Sequence, residues 1–313
     1  MKQFLKKTAK KILSSKLFVK FSKGNRFIFV FHDVSNPNSS CYSEHYSSSV
    51  EEFRSQIQLI KNCFEIISLE AIVSNRTLNK KKNYAAITFD DGFQSVLTNA
   101  FPVLNENNIP FSLFVNGAAI DHNELWVTNA LLETDSNYSC RLSQLAKVEF
   151  KADEDIVKAT MERGHFSKEF VEGYRSENKM PKTYLDKKEL NLLLDKGAHI
   201  GNHSCDHLVL SNTDEVEVTN QISRNHDCIL NYFGIESQHF AIPFGKKEHF
   251  DDGVIKKLRD LNYKYIYTTN PNKFKVEDLH NENFLFPRIG LTSESPSELM
   301  FYINRSLLKK YNL

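Results

Sequence analysis

At 313 residues the chain has room for one large α/β domain or two ordinary ones, and a hydrophobic share of 41% is ample for a core. A net charge of +1 argues against nucleic acid as a dedicated partner and supplies no whole-molecule field to steer a polyanion. Five scattered cysteines (Cys41, Cys63, Cys140, Cys205 and Cys228) do not form a disulfide framework and fit a reducing compartment.

Residues 1–26 carry nine basic side chains, from Lys2 to Arg26, and no acid. Phe4, Leu5, Ile12, Leu13, Leu17, Phe18 and Phe21 are interleaved with them. Two readings stay open: an amphipathic helix lying on an anionic membrane, or a basic helix packing its apolar stripe on the domain. No uninterrupted apolar stretch is long enough for a signal peptide or a membrane span. The expected location is therefore cytoplasmic, with peripheral contact at the inner membrane face under the first reading.

One domain is expected over 27–313. Phe27 to Phe31 is a continuous apolar run rich in aromatic and β-branched residues, as in a strand buried on both faces. Ser47-Ser48-Ser49 caps an amphipathic helix with apolar positions at Phe53, Ile57, Ile60 and Cys63. Further strands are expected at 64–69, 84–89 and 111–115, with a short helical turn at 70–74 and a helix at 95–106. Strands that alternate with helices imply parallel pairing. From about Asp121 to Tyr184 charges crowd in without a clear strand, which reads as a mostly helical insertion. Trp126, the only tryptophan, lies there, as a sugar-stacking face or as a core residue. The rhythm resumes with helices at 185–196, 215–233, 253–261 and 295–311, and strands at 198–203, 239–242, 263–267 and 286–290. Gly234 takes the position that ends the long helix.

His32, Asp90, Asp91, His203 and Pro243 all fall at carboxyl ends of these strands, where parallel barrels gather catalytic groups. Asp90 and Asp91 stand side by side before Gly92, and two carboxylates so placed repel unless a cation and hydrogen bonds satisfy them. His203 and His207 are four residues apart, and an acid with two histidines is the ligand set of a catalytic zinc site that leaves a position open for water. Cys205, between them, reads as a small buried hydrophobe. His199, Asp206 and His239 read as packing or local hydrogen bonding.

The segments Thr88-Phe89-Asp90-Asp91-Gly92 and His203-Ser204-Cys205-Asp206-His207 resemble the first two motifs of the polysaccharide deacetylases, the NodB-homology or carbohydrate esterase family 4 enzymes. Phe240 to Gly245 looks like that family's Pro-aromatic-Gly motif, and Phe27 to Val34 is similar to the first strand of its bacterial members. The resemblance covers roughly 27–290 in the family's order. It implies a distorted (β/α) barrel with about seven parallel strands. It also implies a divalent metal on Asp91, His203 and His207 (Zn2+, with Co2+ or Mn2+ as alternatives) and Asp90 as general base. Substrate contacts are expected at Pro243, Phe244 and Gly245, with Trp126 and Arg288 as further candidates.

Two departures stand out. Ala241 occupies the place of the family's arginine that pairs with the base, and Arg288 is the candidate substitute, or else an ordinary ion pair. The family's late histidine is missing, so His32 is the remaining general acid, or a partner that orients a metal ligand. The implied activity is removal of an N-acetyl group from an amino sugar of a bacterial saccharide. Deformylation, O-deacetylation and a catalytically silent carbohydrate-binding relative are the alternatives.

Overall fold

The computed structural model describes residues 19, 21–39, 42–43, 46–123 and 182–308. Trp126 and most of the expected insertion lie outside the described residues.

Strand β1 (Arg26–Phe31) is buried at every position, as its uninterrupted apolar sequence requires. A two-residue β2 (Asp33–Val34) pairs with β3 (Ser47–Ser48). Helix α1 (Val50–Cys63) begins at the expected cap: the Ser49 hydroxyl accepts from the Glu52 N–H, and the Glu52 carboxylate accepts from the Ser49 N–H. Strand β4 (Glu65–Ile66) is shorter than expected, because the Ser68 side chain accepts from the Ala71 N–H and starts helix α2 (Leu69–Ser74).

Strand β5 (Tyr84–Phe89) leads to a π-helical turn, Val96–Ala100, and then helix α3 (Phe101–Glu106). A continuous α-helix was expected there. Pro102 has no N–H to extend the regular ladder, and the Phe101 N–H reaches back to the Val96 carbonyl. Next come β6 (Phe111–Val115), α4 (Gly117–His122), α5 (Lys187–Asp195), β7 (His199–Asn202), α6 (Glu215–Phe233) and β8 (His239–Ala241). The chain ends with α7 (Asp252–Asp260), β9 (Tyr265–Thr268), β10 (Leu285–Pro287), β11 (Ile289–Gly290) and α8 (Pro296–Leu308).

The main sheet runs β10-β9-β8-β7-β6-β5-β1-β11, with β4 also on β5, and every ladder in it is parallel. Its first and last members are two halves of one segment interrupted at Arg288. β10 pairs with β9 and β11 with β1, so residues 285–290 close the sheet into a barrel. Counted as one, they leave seven strand segments in the ring, as expected, although the last strand was read as unbroken.

Alternation sorts the strand side chains. Ile28, Ala86, Phe114, Ala241, Tyr267 and Phe286 form the interior cluster, which α2 plugs from below with Leu69, Ile72 and Val73. Phe27, Phe29, Phe31, Ala85, Ile87 and Phe89 face outward to α1 and its neighbours. The interior is tight at Gly201, where a Cβ would collide with the Phe114 ring.

Candidate active site

The functional side chains sit at one end of the barrel because the strands that carry them end in register. Phe31 pairs with Phe89, which places His32 beside Asp90. Phe89 pairs with Leu113 and Val115 with Asn202, which brings His203 to the same rim. Beyond β5 the chain reverses sharply: the Gly92 N–H donates to the Asp90 carbonyl at 2.9 Å, with Asp91 at φ 67°. The same three-residue turn recurs after β8, where the Gly245 N–H donates to the Pro243 carbonyl at 2.7 Å and Phe244 has φ 60°. Turns of this hand are rare and strained.

The two carboxylates have opposite partners. Both oxygens of Asp90 are gripped by Arg288, with Nη1–Oδ1 and Nη2–Oδ2 each 2.7 Å, and this fork–fork pair is fully buried. Burial alone would raise the Asp90 pKa. The Arg288 guanidinium, and then His203, outweigh it and hold the carboxyl below its usual range. Arg288 was expected as a substitute for the motif arginine or an ordinary ion pair, and was also a candidate substrate contact. It is wholly buried with two guanidinium nitrogens committed to Asp90, the pairing expected of a substitute and of a structural ion pair alike.

Asp91 instead faces imidazoles. Its Oδ1 lies 3.4 Å from His203 Nε2 and 3.4 Å from His207 Nε2. All three residues are buried, and Asp91 Oδ1 and His203 Nε2 have no hydrogen-bond partner. Ligand bonds of about 2.0–2.1 Å in a tetrahedral site place neighbouring donor atoms about 3.3 Å apart, so the spacing fits a divalent metal. The His203 tautomer suits such a site: Nδ1 is 2.8 Å from the Ala241 carbonyl, so its proton sits there and Nε2 presents a lone pair. Burial pushes the His207 pKa down to about 4, leaving that ring neutral at ordinary pH. Burial also opposes protonation of His203, but the carboxylates of Asp90 and Asp91 outweigh it and raise its pKa. For Asp91, burial is outweighed by His207, His203 and His32, which hold the carboxylate ionised. Cys205 does not join the group. It is buried against Gly117, and burial pushes its thiol up to about 12.

A buried amide network shapes the loop that carries the two histidines. Ser204 (φ 62°) and His207 (φ 57°) are both left-handed. Asn202 Oδ1 accepts from the Ser204 N–H at 2.8 Å and from Asn225 Nδ2 at 2.8 Å, and Asn225 Nδ2 also donates to the Val115 carbonyl. Asn116 Nδ2 donates to the carbonyls of His203 and Ser204. From α6, the Gln221 carbonyl accepts from the Cys205 N–H, and Gln221 Oε1 accepts from the Asp206 N–H. None of these asparagines was singled out from the sequence. They come from three separate elements, and only the folded topology joins them.

Of the remaining candidates, His32 is partly buried, and its Nδ1 is a buried atom without a partner. No hydrogen bond joins it to either metal-site histidine among the described residues. Pro243 and Gly245 are buried, and a Cβ at Gly245 would lie 2.5 Å from the Thr269 backbone nitrogen, so their part is to shape the turn. Phe244 is the partly exposed member, with ring-centroid distances of 4.6 Å to His207 and 5.2 Å to His249. His239 bonds Tyr267 and Glu70, and Asp206 bonds Gln221 and Arg224, local roles of the kind expected.

The family description "Polysaccharide deacetylase" matches residues 77–266, more than half of the chain. No curated protein matches significantly. Among solved structures, the Streptococcus pyogenes deacetylase PplD, in complex with acetate, superposes with a TM-score of 0.59 at 16% identity, covering 92% of this chain and 99% of that one. IcaB from Ammonifex degensii gives 0.57 at 16% identity over 92% and 99%. A de-N-acetylase from Aggregatibacter actinomycetemcomitans gives 0.58 at 13% over 87% and 96%. At such identities the likenesses establish a shared fold, and the family match supplies the rest. The chain belongs to the polysaccharide deacetylase family, hydrolases that act on the amide bonds of N-acetyl sugars.

Proposed function

We propose that this protein is a metal-dependent hydrolase that removes the N-acetyl group from an amino sugar of a bacterial saccharide. The observation that carries this reading is the division of labour between adjacent carboxylates: Asp90 is gripped by Arg288, while Asp91 turns an unpartnered oxygen to two imidazole nitrogens. A divalent metal on Asp91, His203 and His207 would lower the pKa of a bound water to about 7 and polarise the amide carbonyl. Asp90, kept ionised by Arg288, accepts the proton of the attacking water. His32, free of any bond to the ligand histidines, donates a proton to the departing amine, because an amide nitrogen leaves poorly as an anion. Phe244, beside His207, offers an aromatic face to the sugar ring.

The test is acetate and formate release from N-acetylated amino-sugar oligosaccharides by protein reloaded with zinc, cobalt or manganese. Acetate release should fall by about 10²- to 10⁴-fold in Asp90→Asn while metal content is retained. Formate in place of acetate would reassign the acyl group. Stoichiometric metal with neither product across N- and O-acetylated glycans would sink the reading.

A further inference from the structure

The end of the barrel opposite the metal site carries a segregated positive charge. Between Val19 and the starts of β4 and β5 lies a groove of about 340 Å³, lined by Lys23, Lys61, Lys81 and Lys82 and by a single acid, Glu65. Glu65 is taken up by Lys82 at 2.7 Å, and neighbouring Lys80 is held by Glu277 at 3.2 Å. Lys61 donates to Asn107, and neither it nor Lys23 nor Lys81 has a carboxylate within ion-pair distance among the described residues. Two residues before Lys23, Phe21 is 82% exposed, the most exposed large apolar side chain among the described residues. Arg26, by contrast, is the buried first residue of β1, bonded to the Ile72 and Asn75 carbonyls, and is no part of this surface.

The sequence extends the same charge. Residues 1–25 carry eight cations and no acid while the whole chain has a net charge of +1, so residues 26–313 carry −7. A chain whose cations are concentrated in this way is drawn to a negative surface through its basic part. A charged groove alone would suit any polyanion. An exposed phenylalanine, with further apolar residues among the preceding lysines, favours an interface where the ring can enter the headgroup layer.

We infer that this basic end is a peripheral docking face for an anionic lipid surface. The described helices include none long and apolar enough to cross a membrane. Docked in this way, the protein holds its metal site away from the lipid, because β1 and β5, six residues each, separate the groove from Asp90 by about 20 Å at about 3.3 Å per residue. This face does not depend on the reading of the reaction, and its test needs no substrate.

The experiment is flotation of the full chain with phosphatidylcholine vesicles, with and without phosphatidylglycerol, across a salt series. Binding is expected only with phosphatidylglycerol and should weaken as salt rises. Reversing two of the three cations that lack a carboxylate partner, in Lys61→Glu/Lys81→Glu, should weaken it by about thirtyfold or more, with Phe21→Ser giving a smaller loss. Both variants should keep the wild-type melting temperature, since the changed side chains lie on the surface at the far end of the barrel. Absence of phosphatidylglycerol-dependent binding would overturn the inference, as would binding that the double reversal leaves intact. Retention on dextran sulfate without vesicle binding would make this a polyanion site and overturn it too.

Discussion

Asn108, Asn123 and Asn262 have left-handed backbones, and each follows the C-terminus of a helix (α3, α4 and α7). The other described non-glycine residues at positive φ are Asp91, Ser204, His207 and Phe244, and they surround the candidate metal site. Helix ends use asparagine because its short polar side chain tolerates this conformation. At the site the residues are an acid, a hydroxyl, an imidazole and an aromatic ring, with neither asparagine nor glycine among them. The conformation costs about 1–3 kcal/mol for each such residue. What makes the conformation persist is the hydrogen bonding around it, so the contrast can be broken by removing either the bonds or the strain.

The largest effect is expected from the buried charge. Arg288→Met leaves Asp90 buried and unpaired, which should cost about 3–5 kcal/mol in urea unfolding at neutral pH. The sign of the pH effect follows from the pair. Arg288 lowers the Asp90 pKa, so without it the folded-state pKa rises, and the base is protonated at a higher pH. The acidic limb of the rate profile should therefore move upward, and the stability deficit should shrink as pH falls and Asp90 becomes neutral. Arg26→Met, at the other end of the barrel, removes donors to two carbonyls and should cost about 1–3 kcal/mol without moving the rate profile. An unmoved acidic limb in Arg288→Met would mean that the arginine does not tune the base.

A second expectation concerns Asn225, which touches none of the candidate ligand atoms. Its Nδ2 binds the Val115 carbonyl and Asn202 Oδ1, and Asn202 in turn holds the Ser204 N–H. Asn225→Ala should weaken zinc or cobalt binding by about 10- to 100-fold in chelator competition. Ile229→Ala, one turn along the same buried face of α6, should lower the melting temperature while leaving metal affinity unchanged. Equal affinity losses in the two variants would reduce the network to general stability.

These two cases mark where the sequence is informative. The bounds of β5, β6 and α6 were legible because continuous apolar runs and Gly234 are local signals. Asp90, Asp91, His203 and His207 were legible because each pair sits within five residues of chain. The Arg288–Asp90 pair spans 198 residues and depends on a strand that breaks at Arg288 so that each half joins a different neighbour. No local pattern encodes that break, which is why Arg288 read equally as a substitute or an ion pair, with a sugar contact as a further candidate. Asn225 gave less still: it reads as one polar residue on an amphipathic helix, and its partner Val115 lies 110 residues away.

The smallest expected effect is the most direct test of the contrast. Ser204 has φ 62°, and its hydroxyl is buried without a partner. Ser204→Gly relieves the left-handed strain and removes an unsatisfied group, so it should stabilise the apo-protein by about 1 kcal/mol. The same change frees the loop between His203 and His207, so metal affinity should fall although stability rises. At Asn262, after α7, asparagine already tolerates the conformation, and Asn262→Gly should change stability by only a few tenths of a kcal/mol and affinity not at all. Opposite signs for stability and affinity at Ser204, with neither moving at Asn262, would mean that backbone strain near the histidines is held for ligation. If Ser204→Gly lowered stability, the hydrogen bonds to its backbone would already suit a left-handed serine, and the strain would be local geometry with no bearing on the metal.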